Sequence, residues 1–225
     1  MTAMSRKRPA ILDKQWWSRY GASLRFAFYC LLHPFDGYWD LTHEKRGSMA
    51  AANTIMFFVL LTRILTLEFT NFQFMSVNWE YVNVFQECLS LLLPLIVFVT
   101  ANWCWTTLFD GKGTFKDIYV GMCYSILPYP LIQLPLILLS NVITTEEGAF
   151  YYVFAALSLI WAVYLIVIAM MEIHDYSVGK TFLFTIMSLF GMLIIIFLLL
   201  LFLSLISDAI SYFVSLYREI VFRLF

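Results

Sequence analysis

The chain has 225 residues, 62% of them apolar and only 13% charged, with 22 Phe, 13 Tyr and 7 Trp. A soluble domain is typically about 45–50% apolar and about 25% charged, so these totals exclude an ordinary soluble domain and point to an all-α, polytopic integral membrane protein. The net charge of −1 says little, because the distribution of charge matters more than its sum; beyond the short Arg6-Lys7-Arg8 nothing suggests a nucleic-acid partner.

Residues 1–47 read as a cytoplasmic basic segment carrying an interfacial helix. No secretory signal is expected, because the first long apolar run begins only near Ala50. From Gln15 to Leu32 the pattern is helical: Trp16, Tyr20, Leu24, Ala27, Phe28 and Leu31 share a stripe, with Arg19, Ser23 and Arg25 outside it. A basic helix with paired tryptophans suits the membrane surface, and this one is too short and too charged to cross. His33-Pro34-Phe35-Asp36-Gly37-Tyr38-Trp39-Asp40 then reads as a turn, and His43 to Ser48 leads into the first span, with Ser48 as its cap.

Residues 48–206 form the membrane domain, with apolar runs near 49–68, 84–108, 118–142, 149–171 and 182–206, each long enough to span. The basic residues fix an orientation. Arg6, Lys7, Arg8, Lys14, Arg19, Arg25, Lys45 and Arg46 precede the first span, Lys112 and Lys116 lie between the second and third, and Lys180 precedes the fifth. The alternate connections hold Glu68, Glu80, Glu146 and Glu147 and no Lys or Arg. The N-terminus is therefore expected in the cytoplasm and the C-terminus outside. Trp79, Tyr81, Tyr151 and Tyr152 fit the outer interface, and Trp103 and Trp105 the inner one.

The third span contains Tyr124-Ser125-Ile126-Leu127-Pro128-Tyr129-Pro130-Leu131-Ile132-Gln133-Leu134-Pro135. Each proline removes an amide donor and clashes with the carbonyl four residues back, here those of Tyr124, Ile126 and Leu131. Tyr129 lies ahead of one proline and behind another, which discourages helical angles there. Broken helices at membrane depth are tolerated only where protein or a wet cavity covers them. The span is expected to kink or break near Tyr129 and to face the other spans, either as a packing feature or as a binding cleft formed by Tyr124, Ser125, Pro128, Tyr129, Pro130 and Gln133.

Residues 207–225 read as a separate amphipathic helix after a break at Ser207-Asp208. Ile210, Phe213, Val214, Tyr217, Ile220, Val221 and Leu224 share one face, and Ser211, Ser215 and Arg218 the other. It lies flat on the outer leaflet or docks on a partner protein.

Little in the chain suggests catalysis. Arg63 in the first span and Glu87 in the second should lie at similar depth, where a charge costs several kcal/mol unless it pairs or snorkels. An Arg63–Glu87 ion pair is one reading; a snorkelling Arg63 or a proton relay are the others. Asn102 is placed to bond across to another helix. Asp110-Gly111-Lys112-Gly113-Thr114 lacks the upstream glycine and the preceding strand of a phosphate loop and reads as a tight turn. Glu172, His174 and Asp175 read as a solvated loop. Cys30, Cys88, Cys104 and Cys123 lie singly and read as small buried hydrophobes. No metal or cofactor site is expected.

Two motifs carry a family resemblance: His33-Pro34-Phe35-Asp36-Gly37-Tyr38-Trp39 with Glu44-Lys45-Arg46-Gly47-Ser48, and Gly111-Lys112-Gly113-Thr114-Phe115-Lys116-Asp117 running on to Tyr124-Ser125-Ile126-Leu127-Pro128-Tyr129. With five spans they resemble the Yip domain family over roughly residues 30–205. The Asp-Leu-Tyr-Gly-Pro-Phe-Trp motif of the eukaryotic branch is absent, and the pattern is closer to bacterial members. That resemblance implies a non-catalytic scaffold or accessory subunit that sits in the lipid bilayer and binds other integral membrane proteins, such as transporter permease subunits of a carbohydrate ABC import complex. The alternatives are a transporter or channel using the third span, or a membrane-shaping or GTPase-recruiting trafficking protein.

Overall fold

Ser48 does what its position suggests: its hydroxyl accepts from the Ala51 amide at 3.1 Å and starts the first long helix. The computed structural model describes residues 14–74 and 82–224, so Arg6-Lys7-Arg8 and the expected interfacial residues Trp79, Glu80 and Tyr81 lie outside the described residues. Within them the chain is all helical: α1 (Lys14–Leu32), α2 (Pro34–His43), α3 (Met49–Phe69), α4 (Val84–Leu108), α5 (Phe115–Ser125), α6 (Pro128–Ser140), a 3₁₀ turn at Thr145–Glu147, α7 (Gly148–His174) and α8 (Val178–Leu224). Five stretches are long and apolar enough to cross a membrane, at Met49–Phe69, Val84–Leu108, Phe115–Ser140, Gly148–His174 and Val178–Arg223.

The basic and acidic connections separate to opposite ends of the bundle. At one end α1 and α2 pack beside α5 and α7, and Lys112 reaches Asp175 at 2.7 Å. At the other end Asn141 donates to the Phe69 carbonyl at 2.9 Å, the Asn71 amide donates to Ser140 at 3.2 Å, and Phe74 packs on Tyr151. Glu68, Glu146 and Glu147 belong to that second end.

The third span is the enclosed one. Of its most apolar stretch 56% is buried, against 6% for the fifth span. Its interruption falls at Ile126–Leu127, two residues before Tyr129, and Tyr129 itself is helical in α6. The reason is the role of a first helical turn. Pro128 opens α6, where no amide donor is needed and the ring's fixed φ suits the helix, and Pro130 falls within the same turn. The carbonyls the prolines leave free are taken over by tighter bonds: Leu127 donates to Tyr124 at 3.2 Å and Tyr129 to Ile126 at 3.0 Å. The backbone stays right-handed through the join, with Leu127 at φ −54° and ψ −33°.

Three expectations need correction. The stretch after His33 is not a turn but the helix α2: Pro34 stands in its first turn and Asp36 near its positive end. Gly37 allows α2 to fold back on α1, because a Cβ there would sit 2.8 Å from the Cα of Cys30. The break at Ser207-Asp208 is absent: α8 runs as one helix of 47 residues, since two polar residues with intact backbone donors weaken a helix by less than about 1 kcal/mol each. The cysteines are free but not uniformly buried: Cys30 and Cys123 are buried, Cys88 is half-buried, and Cys104 is exposed on the bundle's outer surface.

Helix α1 buries Phe26, Ala27 and Cys30, with Leu24 and Leu31 half-buried. Phe28, placed on the apolar stripe by its spacing, is instead exposed, as are Trp17 and Leu32. Burial, with the charge of Asp40 adding to it, pushes the Cys30 thiol up to about 12. At pH 8 its thiolate is therefore scarce, while an ordinary thiol ionises near 8.5. We expect N-ethylmaleimide at pH 8 to modify Cys30 only after the protein is unfolded in SDS; rapid modification in mild detergent would contradict the α1–α2 packing.

Candidate functional site

The residues drawn from the third span divide between two faces. Tyr124 and Ser125 point to the N-terminal helices. Tyr38 of α2 donates to the Ser125 hydroxyl at 2.8 Å, and Ser125 passes its own proton to the Gly121 carbonyl at 2.8 Å. Both residues are fully enclosed. The Tyr124 hydroxyl donates to the Ser23 carbonyl in α1 at 3.3 Å and accepts from the Ser48 amide at 3.4 Å. One dipeptide thus fastens α1, α2 and the N-terminus of α3 to the third span. Burial raises the Tyr38 phenol well above its ordinary pKa, so it remains a donor across the whole working pH range.

The other face meets α3 and α7. Pro128 and Pro130 are buried, and Gln133 donates to Ser158 of α7 at 3.4 Å. Tyr129 is half-buried and borders a cleft of about 440 Å³. The remaining walls come from Val59 and Arg63 of α3, Leu91 of α4, Ile126, and Leu159 and Ile166 of α7. So of the six residues proposed from the third span, Tyr129 lines this cavity, while Tyr124, Ser125 and Gln133 join helices and the two buried prolines shape the turn.

Arg63 and Glu87 meet at the cleft's edge. The Arg63 Nε donates to Glu87 Oε2 at 3.0 Å, and a second guanidinium nitrogen lies 2.9 Å from the same oxygen. Both side chains retain partial exposure, 32% and 26%, and of the two Arg63 lines the cleft. Two contacts from one planar guanidinium fix the relative height of α3 and α4 as well as satisfying the charges.

A polar junction at the basic end joins three spans. Asn102 of α4 donates to Ser188 of α8 at 3.0 Å and accepts from His174 Nε2 of α7 at 3.0 Å. With Nε2 carrying the proton, His174 Nδ1 accepts from the Gly113 amide at 3.3 Å. Only glycine fits there, because a Cβ would meet His174 Cε1 at 2.7 Å and Ile173 at 2.5 Å. This corrects the reading of Glu172, His174 and Asp175 as a solvated loop: His174 is 2% exposed and stacked on Tyr176. Asp175 alone behaves as a loop residue, closing α7 in the left-handed region at φ 54° and bonding Lys112. No cluster of metal ligands occurs among the described residues.

The sequence reading missed Tyr38, His174 and Ser188 as partners. For Tyr38 a signal was present, since an aromatic with a hydroxyl directly after the Pro34-Phe35-Asp36-Gly37 run is a natural donor once that run is helical. Ser188 had none, because serines in long apolar helices most often bond their own backbone.

The Yip1 domain model matches residues 28–201. No curated protein and no solved structure was found to match the chain.

The ion pair gives a test. Arg63→Leu and Glu87→Leu each strand one charge at membrane depth, a penalty of about 2.5–3.5 kcal/mol on insertion scales. We expect each single variant to lower the melting temperature in detergent and the double variant to recover most of the loss. Singles indistinguishable from the parent would mean that the pair holds neither helix.

Proposed function

Because the chain belongs to the Yip1 domain family, we propose that it is a non-catalytic membrane protein that binds and positions other integral membrane proteins. In the finer reading it is an accessory subunit of a bacterial solute importer, set beside the permease subunits of a carbohydrate ABC complex. The end of the bundle carrying α1, α2, Lys112 and Lys180 lies in the cytoplasm.

The observation that carries this reading is α8. It spans 47 residues, or about 70 Å at the helical rise, while the hydrocarbon layer is about 30 Å thick. Its start packs on α4, but every described residue from Phe197 to Arg223 is exposed. Beyond Ser207 the face of Ile210, Phe213, Tyr217 and Ile220 extends farther than a straight helix can remain within lipid. Such a face is stable only when another polypeptide covers it, by the helix-in-groove or coiled-coil packing that its spacing of three and four residues suits. The third span supports positioning over transport, since Tyr124, Ser125 and Gln133 are engaged with neighbouring helices.

Full-length protein extracted from native membranes in mild detergent is expected to bring down a stoichiometric membrane partner, and truncation after Ile206 to lose it while the bundle stays folded. Recovery of a lone, stable protein from both preparations would overturn the proposal.

A further inference from the structure

A second cavity lies away from the cleft, between α1 and the segment joining α2 to α3. It has a volume of about 1140 Å³, and its charged lining is Arg19, Arg25, Lys45, Arg46 and one acid, Glu44, with Ser18 and Ser23 between them. Its charge is unbalanced. Arg46 takes both nearby carboxylates, bonding Asp40 at 3.1 Å and also Glu44. Among the described residues Arg19, Arg25 and Lys45 have no carboxylate partner; Arg19 bonds only the Gln15 carbonyl, at 3.4 Å. Three cations thus border one groove whose acids are already occupied.

The groove's level is set by what surrounds it. Ser48, the cap of the first span, is part of its lining. On α1 itself Trp16 stacks on Tyr20 at 5.3 Å, and Trp17, Phe28 and Leu32 are exposed. Aromatic residues beside exposed apolar ones mark the depth of lipid headgroups.

We propose that this groove binds the phosphate of an anionic phospholipid, with Arg19, Arg25 and Lys45 as its ligands and Ser18 as a neutral contact to the headgroup, while the Ser23 hydroxyl bonds the Arg19 and Arg46 carbonyls at 3.1 and 3.4 Å and ties α1 to the linker. Arg46 is the positioning residue: its carboxylate pairs and its place over the Phe26 ring, 5.9 Å from the centroid, hold the linker that presents Lys45 in the left-handed region at φ 52°. The same chemistry would accept a soluble phosphate. The lipid is the source assigned here because the groove opens at the bilayer surface beside apolar side chains that acyl chains can cover.

The experiment uses full-length protein in a neutral detergent, titrated with phosphatidylglycerol or phosphatidylcholine, with bound lipid counted by native mass spectrometry. Each cation near an anionic surface contributes about fivefold in affinity. The triple variant Arg19→Gln, Arg25→Gln, Lys45→Gln should therefore lose phosphatidylglycerol binding by roughly a hundredfold and leave phosphatidylcholine binding unchanged. These side chains are exposed, so an unaltered melting temperature is expected and separates lost binding from lost folding. Replacing Lys112 and Lys116 instead should leave the preference intact. Equal retention of the two lipids by the parent protein would overturn the site, as would an undiminished preference in the triple variant. Displacement of the lipid by millimolar inorganic phosphate would overturn the lipid assignment in favour of a soluble phosphate.

Discussion

Pro128 and Pro130 withhold two amide donors in the middle of an apolar span, where no water exists to bond the freed carbonyls. Tighter bonds from Leu127 and Tyr129 answer those of Tyr124 and Ile126, and enclosure by neighbouring helices excludes lipid from the join. The third span is therefore the axis of the bundle, with α3 and α7 against it along its length and α1 and α2 closing over its basic half. Helix α8, which carries no such backbone defect, keeps most of its surface outward, since an unbroken apolar helix is equally content in lipid.

Polar side chains at depth obey the same constraint. Arg63 has Glu87, Asn102 has both His174 and Ser188, and Gln133 has Ser158. Interhelical bonds of this kind are worth only about 0.6–1.7 kcal/mol each, less than the packing around them. Their larger contribution is to register: a helix slipping by one residue would leave several of these groups unpaired together. Exposed contacts such as Lys112–Asp175 add little by comparison, being open to solvent screening.

Features governed by local chemistry were legible in the sequence. The spans, the Ser48 cap and the interruption of the third span follow from hydropathy, a hydroxyl and prolines, and each needs only its near neighbours. The failures came where one residue type has two uses. Pro34 and Gly37 read as a turn, yet a proline is also a favoured first helical residue and a glycine lets two helices touch. Ser207 and Asp208 read as a stop, yet they stand about 44 Å along a straight α8, near the full thickness of a bilayer with its headgroups, so they fit the change of solvent without ending the helix. His174 read as solvated because it stands beside Glu172 and Asp175, and its burial depends on Asn102 and Gly113, which are distant in sequence. The faces of the third span could not be told apart for the same reason: which of Tyr124, Ser125, Tyr129 and Gln133 meets a cavity depends on where α1, α2 and α7 settle.

The two motifs that carried the family resemblance are 87 residues apart at their point of contact, and in the folded chain they are two halves of one joint. Tyr38 from the first meets Ser125 from the second, and Tyr124 beside it holds the Ser48 amide at the end of the first. Each half alone looks like punctuation, a Pro-Gly stretch in one case and a proline-broken helix in the other. Together they explain why the break lies where it does. Helix α5 must end with Tyr124 and Ser125 aimed at the N-terminal helices, while α6 must restart with Gln133 aimed at α7, and an uninterrupted helix would hold these two directions in a fixed relation. The loosened turn at Ile126–Leu127 relaxes that relation. The prolines thus let one span serve two sets of neighbours, anchoring the N-terminal helices with its first half and the α7 side of the bundle with its second.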